Sequence, residues 1–510
     1  MNTPPRLIYY SDAHHYHAKR LDPPLSKHKM RWPIDELVGT GVDMLAFGLG
    51  FGDVYFHQTK IGRVVGQEQE VWEHFINWRI MRMVKDAHDM GTDQVREVIE
   101  RGREMGIPVF PSLKLQDPTP QYEERCGWLK WRHGMEVTLG EGNERYPSHT
   151  TEWCLDYTNV VVREHKRALI REMLEDYGAE GIELDFMFFP LYFRENQTES
   201  STQVMTKFVA DVRALANEVG YAQDRKIPVM ARVWSRHDDN LDIGLDVESW
   251  LAEGSVDYVV GQIPHTLLDT GVTDGKWLAD AANAGGASAY LRPGYRLQDL
   301  RANIANIEMF RAFAHTIQDQ GFAGMYLGYL PWPFAEAEHR LLREMAYPET
   351  TARLNKRYFL PPREELQTYV RPDTRPLPIA LEEGVTERIP VSVADDVEAA
   401  IADGESREAE LTLAFQQFCV EDDVALSFNG ESLAIERSNI YEPSRGQYWL
   451  RWRLDASAVK KGENVLEIGI VKKELTAGFA RTLTGIEVHV RYREFDRAES
   501  LDTATVPPAS

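Results

Sequence analysis

Eight short apolar runs alternate with helix-patterned segments across roughly the first 340 residues, and this alternation limits the available folds more than any other feature. The runs fall at 6–10 (RLIYY), 42–47 (VDMLAF), 107–113 (IPVFPSL), 181–190 (GIELDFMFFP), 227–234 (IPVMARVW), 256–263 (VDYVVGQI), 287–291 and 322–330 (FAGMYLGYL). Between them, apolar residues recur at helical spacing. Val95, Val98, Ile99 and Met105 share one face, with Thr92 or Asp93 placed to cap and Gly106 to stop the helix. His165, Leu169, Ile170 and Met173 repeat the pattern up to Gly178, and Val204, Phe208, Val212, Leu215 and Val219 repeat it up to Gly220. Further helices are expected over about 70–83, 300–318 and 335–345. Strict strand–helix alternation implies a parallel sheet with right-handed crossovers. Eight such units close most naturally into a (β/α)8 TIM barrel. The rival is an open doubly wound sheet, but no GxGxxG follows the first strand, and GLGFG after the second lacks that spacing.

The barrel is expected to occupy 1–347. A stretch rich in proline, 348–384, reads as an extended linker across the surface. From 385 to 496 short alternating runs separated by turn residues (RIPVSVA, DVALSFNG, QYWLRWRLD, NVLEIGIV) predict an all-β sandwich of jelly-roll type. Residues 497–510 read as a disordered tail.

The formal charge of −23 argues against nucleic acid and anionic membranes as partners, since both require basic patches. No apolar run approaches the roughly 18–20 residues of a membrane span. Three cysteines without a CxxC, and a start lacking a long apolar segment, favour a cytoplasmic location. Self-association into a homo-oligomer is left open.

In a (β/α)8 barrel the chemistry collects at the C-terminal ends of the strands. That rule selects Asp12, His14 and His15 after the first strand, Lys114 after the third, and Glu183 and Asp185 on the fourth. It adds Arg232, Trp234, His237 and Asp238 at the fifth, Gln262 and His265 at the sixth, Arg292 at the seventh, and Tyr326, Tyr329 and Trp332 at the eighth. Glu183 and Asp185 stand two residues apart, so both side chains leave the strand on the same face. Burying two carboxylates there costs several kcal/mol unless they are paired or used. Acids, imidazoles, guanidinium groups and aromatic faces together suit a polyhydroxylated ring. Trp128, Trp131 and Trp153, with Tyr122 and Tyr146, lie in a long irregular segment, 114–158, and suit either sugar platforms or loop packing.

Cleaving a glycosidic bond needs two carboxyls facing each other across the anomeric carbon. Asp185 is the expected nucleophile or base, and Glu183 sits one layer deeper, against Arg232. The second acid must come from another strand; Asp238 is the first candidate, with Asp239, Asp12, Glu152 and Asp269 behind it.

The fourth-strand run resembles the signature of the family-10-like (hypothetical) glycosyl hydrolases, G-[IV]-x-[LF]-D-[YF] followed by a proline. Gly181, Asp185, Phe186 and Pro190 match it, whereas Phe188 and Phe189 stand where that family often carries an arginine. The runs ALSFNGESL and LDASAVKKGENVLEIGI resemble jelly-roll accessory domains of glycoside hydrolases. The resemblance implies a glycoside hydrolase acting on an oligo- or polysaccharide without a cofactor. The seventh strand, ASAYLRPG, holds no acid, so the mechanism of true family-10 and family-5 hydrolases does not transfer. Two other functions compete. One is a metal-dependent amidohydrolase-like barrel using His15 and His17, although the eighth strand supplies no acid for it and no metal is expected. The other is a barrel that binds carbohydrate without turning it over.

Overall fold

A computed structural model describes residues 3–72, 74–118, 127–141, 148–297, 304–367, 369–444 and 446–492. The barrel strands are β1 (Leu7–Asp12), β2 (Met44–Gly48), β3 (Val109–Lys114), β4 (Ile182–Asp185), β5 (Val229–Trp234), β6 (Tyr258–Gln262), β7 (Ser288–Arg292) and β8 (Gly324–Gly328). They pair in chain order, all parallel, and β8 closes onto β1. The barrel expected from the alternation is therefore present, and the open sheet is excluded.

The outer ring holds α1 (Phe75–Asp89), α2 (Gln94–Met105), α3 (Val160–Glu175), α4 (Thr198–Ala222), α5 (Val247–Ala252), α6 (Lys276–Ala284), α7 (Ile307–Asp319) and α8 (Glu336–Ala346). Local signals set several boundaries. Asp93, rather than Thr92, caps α2 by accepting from Arg96 N at 2.9 Å, and Gly106 ends it in the left-handed region (φ 72). Gly220 does not stop α4, which continues to Ala222; a Cβ at Gly220 would lie 2.6 Å from the Arg225 carbonyl oxygen, so the glycine permits a close return of the chain. The expected start of α7 near 300, Tyr122, Tyr146, Cys126 and the tail 497–510 lie outside the described residues.

Strand parity sorts the barrel into two cores. Outward residues such as Leu45, Leu184 and Val233 pack beneath the helices in the main core. Inward residues form a separate plug of Ile8, Tyr10, Met44, Ala46, Phe110, Met230, Tyr258, Val260, Tyr290 and Tyr326. This plug floors the C-terminal mouth, and the next inward positions up carry the charged groups.

The expected linker does more than connect. Its β9 (Lys356–Leu360) and β10 (Ile379–Leu381) both pair with β17 (Arg481–Tyr492) of the C-terminal domain. The proline-rich flanks hide the alternation of KRYFL from a composition-based reading. The sandwich also contains β11 (Thr386–Val393), β12 (Ser406–Gln416), β13 (Asp423–Phe428), β14 (Asn439–Ser444), β15 (Gln447–Asp455) and β16 (Gly462–Lys472). One sheet runs β9-β17-β12-β15-β14, with β10 also on β17; the other runs β11-β16-β13 and ends in a two-residue strand, Glu431–Ser432. Their inner faces share one core that includes Ile389, Leu411, Phe428, Trp452, Ile468 and Val488. The sandwich docks on α7, where Glu308 meets His489 and Arg357, each at 3.3 Å. Among the described residues no helix is long and apolar enough to cross a membrane.

Candidate active site at the barrel mouth

Inward parity carries Asp12, Lys114, Glu183, Asp185, Arg232, Trp234, Gln262, Arg292 and Tyr326 into the barrel, as the end-of-strand rule anticipates. Asp185 and Glu183 have no exposed surface, and Arg232 keeps only 4%. Arg232 is the hub: its Nη2 donates to Asp185 Oδ2, and its Nε lies 3.7 Å from Glu183 Oε1. Asp185 Oδ1 accepts from Met187 N at 2.8 Å, which fixes the carboxylate from the loop side. Tyr326 OH donates to Glu183 Oε1 at 2.8 Å. Burial lifts the Glu183 carboxyl above the ordinary range; Arg232 works against that and the Asp185 charge adds to it. Arg232 also lies against two adjacent aromatic faces, 4.8 Å from the Tyr10 ring centroid and 5.5 Å from that of Tyr326.

A second cluster forms at the end of β1. Asp12 Oδ1 accepts from His15 N at 2.8 Å, and Oδ2 accepts from Tyr329 OH at 3.3 Å. Lys114 Nζ stands 3.9 Å from Asp12 Oδ2 and 3.8 Å from Asp117 Oδ2. Burial pushes the Asp12 carboxyl up, but Lys114, His15, His14 and the His15 amide together hold it down at about 2. Gly48 makes this packing feasible, since a Cβ there would lie 2.5 Å from Asp12 Cβ. Tyr329 occupies the left-handed region (φ 59), a strained conformation for a bulky residue. Its ring holds that position against His15 (4.6 Å between centroids) and Tyr10 (5.2 Å).

Asp12, His14 and His15 offer ligand atoms within 4.8 Å of one another, a set able to hold a cation, although the Lys114 ammonium beside Asp12 opposes one. The His15–His17 pairing weighed from the sequence does not form. His17 is buried with Nδ1 against Ala13 O at 2.8 Å, because the chain coils into a helical turn directly after β1.

Several expected residues lie elsewhere. Asp238 and His237 sit on a short helix, His237–Leu241, on the outer rim. Asp238 is exposed and ion-paired with Arg371, and His237 packs edge-on to Trp277 at 4.8 Å. No contact joins either to Asp185 among the described residues. The cause is local: Asn240 bonds both the amide and the carbonyl of Trp234, folding the chain back over the end of β5. Asp239 is buried against Arg236. Asp269, which burial raises to about 6, lines a cleft between the barrel and the sandwich. Trp332 packs on Trp32 (6.0 Å) and under Arg20, at the rim beside β8. Trp131 is 48% exposed, while Trp128 packs on His165 and Trp153 lies under Lys130.

Beside the ionic cluster is a cavity of about 470 Å³ lined by Trp234, Gln262, His265 and Arg292 from the barrel and by Glu365 and Tyr369 from the expected linker. The linker is thus a strap over the mouth. Glu364 pins it by accepting from Thr266 N and Leu267 N, both at 2.8 Å, and from Thr266 Oγ1 at 2.6 Å. Phe189 meets Tyr369 of the strap at 6.0 Å, and Phe188 covers Lys114, whose Nζ lies 3.9 Å from the ring centroid. Sequence reasoning missed the strap; the signal available was the pair Glu364–Glu365 inside an otherwise proline-rich stretch. Burial, with Arg375 alongside, holds the His265 imidazole down at about 4, so it is neutral at physiological pH.

No family model matches the chain, and no curated protein matches it in sequence. The family-10-like resemblance of the fourth strand is therefore not shown. Solved structures do align. A cycloisomaltooligosaccharide glucanotransferase from Paenibacillus sp. is 11% identical with a TM-score of 0.38, covering 94% of this chain and 57% of that protein. An α-L-fucosidase isoenzyme from Paenibacillus thiaminolyticus is 12% identical with a TM-score of 0.40, covering 68% and 49%. A noncanonic maltogenic α-amylase from Thermotoga neapolitana is 12% identical with a TM-score of 0.38, covering 92% and 100%. The chain thus spans about half the length of the first two. Its fold class, a (β/α)8 barrel followed by a β-sandwich, rests on its own strand topology.

Proposed function

We propose that the protein is a glycoside hydrolase of the barrel type, acting on an oligo- or polysaccharide, with Asp185 as nucleophile or base. The observation that carries this reading is the ionic layer itself. Asp185 and Arg232 are interlocked one inward position above the plug residue Met230, with Glu183 one position deeper, level with Met230, and Asp12 and Lys114 close the same mouth. Buried charge on this scale is a poor way to stabilise a barrel, and it collects at the strand ends where barrels carry out chemistry. Asp12, flanked by His14 and His15, replaces Asp238 as the partner on the opposite side. In this reading Asp12 is held ionised by Lys114 and the two histidines, while Glu183 orients Arg232 and through it Asp185.

The test is hydrolysis of a panel of aryl glycosides and polysaccharides by wild type, Asp185→Asn and Asp12→Asn. Each variant should remain folded at the assay temperature, with a lowered melting point because a buried charge pair is broken, and lose about 10²–10⁴ in rate. An Asp185→Asn protein with full activity, or a wild type that cleaves no glycosidic bond, overturns the reading. A second reading, a metal-assisted hydrolase, draws on the ligand set Asp12, His14 and His15. Stoichiometric metal in the purified protein, with activity lost to a chelator, favours it over the first.

A further inference from the structure

The ends of β5, β6 and β7 form one inward row. Trp234 is the register partner of Gln262, and Gln262 is the register partner of Arg292. All three line the cavity of about 470 Å³, and each presents hydrogen-bond donors. Trp234 is buried, and its Nε1 has no partner among the described residues. The Gln262 carboxamide and the Arg292 guanidinium likewise make no hydrogen bond or ion pair among the described residues.

The contrast with Arg232 is informative. Arg232 stands on β5, with β6 between it and the strand of Arg292, and is neutralised by two carboxylates. Among the described residues Arg292 has no acid within ion-pair distance, although Glu364 and Glu365 of the strap line the same cavity. Burial and the Arg232 charge both push against its protonated form. An unpaired guanidinium in such a place is unfavourable unless an anion arrives to pair with it. The chain as a whole carries −23, which repels anions at long range, so this local donor row would act at close range rather than by steering.

We propose that this cavity selects a sugar bearing an oxyanion, the carboxylate of a hexuronic acid or a sulfate ester, gripped by Arg292 with Gln262 and the Trp234 indole N–H beside it. A planar guanidinium fork meets either group through two parallel N–H···O bonds. The inference rests on the mouth being a sugar site, as proposed above, and adds the substrate class.

The experiment measures binding of the full-length protein to matched oligosaccharide pairs. Each hexuronate-containing oligosaccharide is set beside its carboxyl-reduced form, and each sulfated one beside its desulfated form. The acidic member of one kind of pair should bind about tenfold or more tighter, and the pair showing the preference identifies the oxyanion. Arg292→Gln should abolish the preference and Arg292→Lys should keep part of it. In the wild type, raising salt should shrink it, a readout that needs no variant. Equal binding of both members, a preference that survives Arg292→Gln, or binding to no pair overturns the inference. Reducing-end release separates it from the parent reading. Cleavage confined to neutral members retains hydrolysis and removes this inference. Arg292-dependent binding of acidic members without any cleavage does the reverse.

Discussion

Replacing Arg232 with methionine should destabilise the barrel by about 3–5 kcal/mol at pH 8, because two buried carboxyls lose their shared counter-charge. The magnitude follows from the geometry. The Arg232 Nε to Glu183 Oε1 separation is 3.7 Å, with side-chain exposures of 4% and 0%. At the effective dielectric of about 20 suited to such sites, one unit pair at that distance is worth about 4 kcal/mol. The Asp185 contact is closer still, but desolvation of both partners offsets much of the sum. Denaturant unfolding followed by tryptophan fluorescence measures the loss. The pH dependence provides an internal check. Burial and Asp185 already lift the Glu183 carboxyl, and Arg232 is the charge that opposes them. Without the guanidinium it rises further. A carboxyl raised in the folded state favours folding below its unfolded value, near 4.3, and loses that contribution as pH climbs through the folded value. The deficit of Arg232→Met should therefore be smaller at pH 5 than at pH 8. A double-mutant cycle with Asp185→Asn should give a coupling of at least about 1 kcal/mol. A single variant within about 1 kcal/mol of wild type at pH 8, or a deficit that grows on acidification, refutes the reasoning.

The remaining predictions concern the parts around the site. Glu308 at the barrel–sandwich junction and Glu410 within the sandwich are both held at about 2, by His489 with Arg357 and Arg491 around Glu308 and by His489 and Arg491 around Glu410. Depressed carboxyls stabilise above their unfolded value and lose that contribution as pH falls through the folded one, so calorimetry should show the two domains unfolding separately between about pH 4 and 2. A single transition maintained to pH 2 contradicts this. Glu364→Ala removes the three bonds that pin the strap. Hydrogen exchange should rise over 362–370 and KM should increase more than kcat falls, with global stability lowered by only about 1–3 kcal/mol; unchanged exchange in the strap is the opposing result.

Much of the site was legible because strand parity is a local property. Once β4 is recognised, Glu183 and Asp185 must leave on one face, and the same rule at other strand ends finds Lys114, Arg232, Trp234, Gln262 and Arg292. Asp238 was misplaced because its position depends on Asn240 folding back onto Trp234 and on Arg371, 133 residues away in sequence. His17 failed as a ligand because the turn after β1 directs its ring to Ala13 O. From the sequence the strap reads only as an extended linker across the surface, because proline content describes stiffness and says nothing of what a stiff segment lies against.

The sequence by itself determined the eightfold alternation, the division between barrel and sandwich, and which side chains point into the barrel. All of these follow from periodicities of 2 and 3.6 residues, which neighbouring residues enforce. Only the tertiary structure decided which inward groups meet: that Arg232 takes both acids of β4, that Asp12 faces Lys114, that Arg292 is left without a partner among the described residues, and that residues 364–367, 369 and 370 wall the mouth. Those outcomes depend on barrel closure and register, and on contacts between positions scores to hundreds of residues apart. No local pattern encodes them.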